Sequence, residues 1–183
     1  TFNNASAPAC IECEPGYSCS NGEERYACPR DKYADNSSSS ICFPVVAGFD
    51  RVSSFEVRPC PKGSKCRGGA TKPEPCPIGR FTENEGANGC IGCADGTYTN
   101  TSGQAACIKC PTFLATCKNG RLELDDNAWY DIEANPVLDD NTEMHECFND
   151  ESCIPSTAKC NKAKGYDGPL CGACNQEAGV TRS

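Results

Sequence analysis

The sequence CPIGRFTENEGANGCIGCADGTYTNTSGQAACIKC spans residues 76–110, and the interpretation of the whole chain depends on it. Its two C-x-x-C pairs, Cys90/Cys93 and Cys107/Cys110, have the ligand type and nearly the spacing of a four-cysteine zinc site. The same cysteines could instead form disulfides in an extracellular scaffold. The two interpretations predict different compartments, folds and functions.

A longer repeat of the cysteines favours the disulfide interpretation. The gaps between cysteines are 5, 8 and 13 residues in a first copy and 5, 9 and 13 residues in a second; the copies are Cys13, Cys19, Cys28, Cys42 and Cys60, Cys66, Cys76, Cys90. The second half of the unit recurs from Cys93 to Cys107, and a third copy of the first half begins with Cys110 and Cys117. Matched gaps of this kind indicate internal repetition. A zinc site would require the cysteines of one loop to bind metal, although two loops of the same length would not.

The composition also points to a cross-linked scaffold. The 183 residues include 18 cysteines, whereas Leu, Ile, Val and Phe together number only 25. So few large apolar side chains cannot offset the entropy lost when the backbone is ordered. A disulfide that closes a loop of about 15 residues contributes about 3 kcal/mol in the simplest model, so several of them replace an apolar core.

Each half-unit of the repeat combines a turn with an aromatic residue. In CPIGRF, CADGTY and CPRDKY, a turn-forming residue follows the cysteine at the third position and Phe81, Tyr98 or Tyr33 at the fifth. We expect the chain to reverse there and the ring to lie across the closing disulfide. The predicted fold is a small disulfide-rich one, an elongated array of short β-hairpin cysteine-rich modules with little regular secondary structure.

The pattern C-x-x-G-x-[FY]-x9-C-x-x-C resembles the ephrin-receptor-like cysteine-rich repeat, and its C-x13-C loop is similar to a module of the tumour necrosis factor receptor ectodomain. The resemblance covers residues 10–120. It implies disulfides across each Gly-x-aromatic turn, namely Cys28–Cys42, Cys76–Cys90 and Cys93–Cys107. The tighter rings suggest three more pairs, Cys13–Cys19, Cys60–Cys66 and Cys110–Cys117.

One half-unit departs from the pattern, because Val45 stands where a C-x-x-C would place its second cysteine. Residues 46–59 lack cysteine and must be held by packing, so we predict a hinge or partner-contact surface there, formed by Phe49, Phe55 and Val57. The predicted boundaries are residues 1–59 for repeat unit I, which is degenerate at Val45, and 60–120 for unit II with the truncated third copy.

An acidic stretch follows the repeats. Residues 122–151 carry eleven acidic side chains and neither Lys nor Arg. We predict that residues 121–146 are a cysteine-free acidic connector in which Trp129 and Tyr130 contact a neighbouring module or partner. The pairs Asp125/Asp126 and Asp139/Asp140 make calcium an alternative, although their spacing does not match an EF-hand loop.

The tail, residues 147–174, resembles the end of an epidermal-growth-factor-like (EGF-like) domain through its Gly165-Tyr166-Asp167-Gly168 turn between cysteines. The resemblance implies the pair Cys160–Cys171 and leaves Cys147 to pair with Cys153. Two cysteines remain, Cys10 and Cys174, which pair with each other or with cysteines outside this sequence. Residues 175–183 would then start a following segment.

Several functions are not expected. The net charge of −8 without a basic stripe disfavours nucleic-acid binding, and the single histidine, His145, gives little basis for catalysis or a cofactor. No apolar run approaches 18 residues, so we expect no membrane contact within this segment. Because the sequence begins with Thr1, we expect a processed product or fragment. Three sequons predict attached glycans, at Asn4, Asn36 and Asn100.

Two functional hypotheses remain. The first is an extracellular structural module of a larger secreted or cell-surface protein, a glycosylated rod or filament whose partners are other copies or neighbouring modules of the same protein. By analogy, flagellar hair (mastigoneme) proteins are one such setting. The alternative is the ectodomain of a membrane receptor, with a protein ligand as its partner.

Overall fold

The structure is a computed structural model that describes residues 13–20, 24–36 and 39–174. In these residues it contains ten antiparallel two-stranded sheets, and each joins two consecutive strands, β1 with β2 through β19 with β20. The strands are Tyr17–Ser18, Tyr26–Ala27, Lys32–Tyr33, Phe43–Pro44, Phe49–Arg51, Val57–Pro59, Ser64–Lys65, Glu74–Pro75, Arg80–Phe81, Ile91–Gly92, Thr97–Tyr98, Ile108–Lys109, Ala115–Lys118, Arg121–Leu124, Ala128–Trp129, His145–Glu146, Cys153–Ile154, Lys159–Cys160, Tyr166–Asp167 and Ala173–Cys174 (β1 to β20). The only helical segments in this part of the chain are two 3-10 turns, Lys162–Lys164 and Pro169–Cys171. The predicted small disulfide-rich fold of short β-hairpins is therefore confirmed.

Disulfides replace a continuous apolar core. The described residues contain eight, each with a Cα–Cα distance between 5.2 and 6.1 Å. The pairs are the eight expected from the sequence: Cys13–Cys19, Cys28–Cys42, Cys60–Cys66, Cys76–Cys90, Cys93–Cys107, Cys110–Cys117, Cys147–Cys153 and Cys160–Cys171. Cysteines make up eight of the 15 buried apolar residues in the described part of the chain, and Cys60, Cys66, Cys76 and Cys171 are fully buried.

Hydrogen bonds between successive hairpins repeat along the chain. The N–H of Gly48, before β5, donates to the carbonyl of Cys66, after β7, at 2.9 Å. The N–H of Gly63, before β7, donates to the hydroxyl of Thr82, after β9, at 3.0 Å. The buried hydroxyl of Thr99 accepts from the N–H of Gly79 at 2.6 Å. Each hairpin therefore provides a hydrogen-bond acceptor for a backbone N–H at the start of a neighbouring hairpin. Buried backbone N–H groups need such partners.

Close backbone contacts explain the glycines at the start of the hairpins. Gly63 has a φ of 74°, and a Cβ added to it would lie 1.9 Å from the carbonyl oxygen of Gly103. Only glycine accommodates both the left-handed backbone and that contact. The glycines of the repeat thus pack one hairpin against a later one.

The aromatic positions of the repeat are not equivalent. Tyr98 is 2% exposed and packs in a cluster with Cys117, Ala128, Leu138 and Met144. Its hydroxyl donates to the carbonyl of Leu138 at 2.5 Å. The corresponding rings of the two other half-units, Tyr33 and Phe81, are only half-buried. The expectation that each ring forms a small core is therefore met at Tyr98, where residues 115–144 cover the ring.

The acidic stretch at residues 121–146, which we predicted as a connector, contains strands and buried residues. Its first residues form β14, which pairs with β13 across the predicted boundary at residue 120, and β15 pairs with β16. Leu138 and Met144 lie in the Tyr98 cluster. The chain as a whole divides into two compact units, one comprising residues up to Cys76 with Thr82–Cys90 and Gly103–Ala105, the other Pro77–Phe81, Ile91–Ser102 and the residues from Ala106 onward.

Candidate functional site

The candidate site is a groove in the second unit, with a volume of about 720 Å³. One wall consists of five consecutive residues, Trp129 to Glu133, and includes both aromatic residues predicted to contact a partner. The facing wall comes from the C-terminal hairpins: Ile154, Ala158, Lys159, Cys160, Asn161, Lys162, Ala163, Asp167, Gly168 and Pro169. We refer to this site as the Trp129 groove.

The hairpin β15–β16 positions Trp129. The residue pairs with His145 across the sheet, and the two ring centroids lie 6.2 Å apart. Ala128, next to Trp129, is 1% exposed and anchors the strand in the Tyr98 cluster. The N–H of Cys147 donates to the carbonyl of Asn127 at 2.8 Å and closes the hairpin. The indole therefore stands half-exposed on a fixed backbone, which is the arrangement of a preorganised contact residue.

Disulfides hold the facing wall. The hairpin β17–β18 carries Ile154, a residue that is 42% exposed, and it begins with Cys153, which is bonded to Cys147. The end of the hairpin, Cys160, is bonded to Cys171. Both cross-links limit movement of the wall, since a bridged hairpin has few alternative conformations.

Charged groups of both signs surround the apolar surface. Asp131 and Glu133 are exposed on the Trp129 wall, and Lys159 is exposed on the other. Lys162 pairs with Asp167 at 3.2 Å. The backbone N–H of Gly168 and then the Lys162 ammonium hold the pKa of Asp167 below its ordinary value. An apolar centre with a charged rim is typical of a protein-contact surface.

The other predicted contact residues lie in the first unit. Phe55 is 49% exposed in the turn between β5 and β6, and Phe49 is 37% exposed. Val57 and Phe49 line a recess of about 120 Å³ together with Tyr33 and Val45. This recess is much smaller than the Trp129 groove, so the cysteine-free half-unit presents a few exposed side chains rather than a groove.

The predicted glycosylation sites that the structure describes are exposed. Asn36 and Asn100 both lie in the loop enclosed by a long disulfide ring, between the two strands of a hairpin. Asn4, Cys10 and residues 175–183 lie outside the described residues. The backbone of Cys174 belongs to β20, while its side chain lies outside the description.

The four cysteines that suggested zinc are in three separate disulfides, since Cys90 bonds to Cys76, Cys93 to Cys107, and Cys110 to Cys117. Their thiolates are therefore not available as ligands, which excludes the zinc interpretation.

Two of the four carboxylates considered for calcium, those of Asp139 and Asp140, have other partners. Asp139 accepts from the N–H of Asn141 at 2.9 Å and from the hydroxyl of Thr142 at 3.1 Å, and these bonds lower its pKa. Asp140 pairs with Lys109 at 3.3 Å. In the part of the chain that the structure describes, no group of three or more His, Cys, Asp or Glu side chains is arranged to hold a metal ion.

Sequence reasoning located one wall of the groove and missed the other. Trp129 and Tyr130 stand out as the only Trp-Tyr pair in an acidic stretch. Ile154, Ala158 and Pro169 have no such signal, because they belong to a tail whose visible pattern is its cysteine spacing. Only the fold brings these residues opposite the indole.

Part of the repeat region matches a known family. Residues 84–121, 38 of the 183 residues, match the family described as "Tyrosine-protein kinase ephrin type A/B receptor-like". No curated protein matches the chain. This match, together with the disulfides, fits an extracellular receptor-like or structural ectodomain. Among the described residues, none of the helical turns has the length and apolar character required to cross a membrane.

Proposed function

We propose that this chain is an extracellular assembly segment of a larger secreted or cell-surface protein, and that it binds other copies or neighbouring modules of that protein. The Trp129 groove carries the proposal: an apolar groove of about 720 Å³ on disulfide-bonded hairpins, with a charged rim. A rigid, partly exposed tryptophan in such a groove is the kind of residue that dominates protein–protein binding energy.

The extracellular setting rests on the covalent chemistry. Within the described residues, 16 cysteines form eight disulfides, and such bonds persist in oxidising compartments. The exposed Asn36 and Asn100 are accessible for glycan attachment. The tail hairpins with Cys147–Cys153 and Cys160–Cys171 would form the EGF-like end of the array. A disulfide-bonded, glycosylated filament of repeated modules, as in mastigonemes, is the setting that this combination supports.

We infer binding rather than catalysis. The ring of the single histidine, His145, lies beside Trp129 at an interplanar angle of 42°, and its Nε2 is 3.5 Å from the carboxylate of Glu143. Both side chains are solvent-accessible, and no hydroxyl or thiol nucleophile is bonded to the imidazole among the described residues. His145 does not line the groove, and the two charged groups of the groove that are bonded to each other, Lys162 and Asp167, form an ordinary ion pair. The groove therefore offers mainly apolar contact area.

Self-association of the purified, non-reduced protein tests the proposal. We expect analytical ultracentrifugation to show concentration-dependent association that Trp129→Ala weakens strongly. Phe113→Ala is the matched control, since Phe113 is 53% exposed and lies outside the groove. A wild-type protein that stays monomeric at all concentrations, or a Phe113→Ala variant weakened as much as Trp129→Ala, would contradict the assembly role.

The second candidate is the ectodomain of a membrane receptor, which the family match over residues 84–121 favours. In that case the non-reduced protein would remain monomeric and would bind a soluble protein ligand with one-to-one stoichiometry. Loss of that binding in Trp129→Ala, with no change in sedimentation, would assign the groove to a ligand.

A further inference from the structure

We propose that the recess between Arg30, Arg51 and Lys72 is a binding site for a tetrahedral oxyanion group, of the kind carried by sulfate and phosphate esters. The recess has a volume of about 230 Å³, and Ala70 and Thr71 complete its wall. It lies within the first compact unit and shares no residue with the Trp129 groove. The proposal therefore stands independently of the assembly role.

The three cations come from three separate hairpins. Arg30 lies in the turn before β3, Arg51 ends β5, and Lys72 lies in the loop between β7 and β8. They are 21 residues apart in sequence, so the fold and not a local run of basic residues brings them together. The turn that carries Arg30 is closed by a bond of 3.0 Å from the N–H of Lys32 to the carbonyl of Pro29.

Hydrogen bonds to the backbone hold two of these side chains. The Nε of Arg51 donates to the carbonyl of Lys32 at 2.8 Å, which fixes the guanidinium plane. The Nζ of Lys72 lies 3.4 Å from the carbonyl oxygen of Arg51. Arg51 therefore contributes a preorganised fork, and a planar fork of N–H donors matches the oxygen spacing of sulfate and phosphate groups.

The two guanidinium groups of the recess are not balanced by carboxylates, whereas Lys72 shares a carboxylate with Arg58. Asp50 is 2% exposed; its carboxylate lies 3.8 Å from Lys72 and 3.2 Å from Arg58, so two cations share it. Among the described residues, no carboxylate forms an ion pair with Arg30 or Arg51. The chain as a whole has a net charge of −8, yet the recess places Arg30 and Arg51, which have no carboxylate partner among the described residues, beside Lys72. Like charges in a recess repel one another, and a bound oxyanion removes that repulsion.

Two sources supply this chemistry outside a cell: sulfated glycans and phosphorylated sugars or lipids. The shared feature is a single ester with three exposed oxygens, which a recess with two guanidinium groups and one ammonium group accommodates. Titration calorimetry with a sulfated disaccharide, its desulfated form, a sugar phosphate and inorganic sulfate identifies the source. We expect saturable binding of the esterified sugars and none of the desulfated sugar.

Variants test the site directly. Arg30→Gln and Lys72→Gln should each weaken binding by about 10-fold, the effect of one charge-assisted hydrogen bond, without changing the thermal unfolding temperature. Lys62→Gln is the matched control, because Lys62 is an exposed cation of the same unit that does not line the recess. Arg51→Lys should also weaken binding, since it keeps the charge but removes the fork.

Two results would overturn the proposal. One is the absence of saturable binding to all of the sulfated and phosphorylated probes. The other is equal weakening by Lys62→Gln and Arg30→Gln, which would show diffuse attraction between surface charges rather than a site.

Discussion

Val45 and Val57 occupy the positions that two disulfide-bonded cysteines occupy in the other long half-units. In the hairpin β5–β6, Asp50 pairs with Arg58. Val45 lies five residues before Asp50, and Val57 lies immediately before Arg58. In β9–β10, Phe81 pairs with Ile91, and the bonded Cys76 and Cys90 have those same two offsets.

The hydrogen bonds agree with this alignment. The N–H of Cys60 donates to the carbonyl of Gly48, as the N–H of Cys93 does to Gly79. Val45 is 5% exposed, and both valines line the same small recess. A valine pair has therefore taken the place of a disulfide while the hairpin kept its register.

The double variant Val45→Cys/Val57→Cys should form a ninth disulfide. The new ring would be two residues shorter than its neighbours, with a separation of 12 rather than 14 residues. Closing a loop of that size should stabilise the protein by up to about 3 kcal/mol in the chain-entropy model. Thiol counting after denaturation and the thermal unfolding temperature measure the result. Two more reactive thiols in the oxidised double variant than in the wild type would show that the positions are not equivalent.

Asp50 and Arg58 occupy the positions of Phe81 and Ile91 in the hairpin β9–β10, so we expect the two side chains to stabilise the protein as a pair. Arg58→Ile leaves the buried carboxylate with only Lys72, at 3.8 Å, and should lower the free energy of unfolding by about 1–3 kcal/mol. This loss is smaller than that for a fully buried pair, because the Arg58 side chain is 61% exposed and solvent screens its charge. The double variant Asp50→Phe/Arg58→Ile, which copies Phe81 and Ile91, should recover most of that loss. Chemical denaturation of the two single variants and the double variant gives the coupling energy, and additive effects would mean that the two side chains do not interact.

The features of the fold that could be predicted from the sequence are those whose residues recur at a regular spacing. The pairing of Cys76 with Cys90 follows from a loop length that recurs in Cys28–Cys42 and Cys93–Cys107. Trp129 could be predicted as a contact residue because it is a large aromatic residue in a stretch without cysteine.

Other features depend on contacts that have no regular spacing. The burial of Tyr98 arises from Leu138 and Met144, 40 residues or more away, in a stretch whose eleven acidic residues suggest solvent exposure. The burial of Asp50 is likewise not predictable from its own hairpin, because one of its two cations, Lys72, belongs to the loop of the next one.

Alanine substitutions at Gly96 and Gly63, which occupy equivalent positions of the repeat, should distinguish the cost of backbone strain from the cost of a steric clash between hairpins. Gly96 and Gly63 both follow a cysteine at the third position and have φ angles of 80° and 74°. A Cβ at Gly96 meets nothing within 4 Å, so Gly96→Ala should cost only the conformational penalty of about 1–2 kcal/mol. Gly63→Ala must also displace the backbone of Gly103 and should cost about 3 kcal/mol or more. Equal unfolding temperatures for the two variants would show that the hairpins are not in close contact at Gly63.

Removal of the Tyr98 hydroxyl should destabilise the second unit at neutral pH. Tyr98→Phe leaves the carbonyl of Leu138 without its donor in a buried cluster, at a cost of about 1–3 kcal/mol. Tyr33→Phe is the control, because that ring is half-buried and belongs to the first unit. Thermal unfolding at neutral pH would show the difference, and identical shifts in the two variants would contradict a special role for the Tyr98 bond.

The same tyrosine should make stability fall in alkaline solution. Burial, with the nearby Tyr130 next in importance, raises the pKa of Tyr98 above its ordinary value, so the folded state holds the phenolic proton to higher pH than the unfolded chain does. Above about pH 10 the unfolded state loses this proton first and is stabilised by that loss, so the free energy of unfolding decreases as the pH rises through the folded-state pKa. Burial raises the pKa of Tyr130 in the same direction. Tyr98→Phe should therefore show a smaller alkaline decrease than the wild type, with intact disulfides checked on non-reducing gels; an unchanged pH profile would mean that Tyr98 ionises equally in both states.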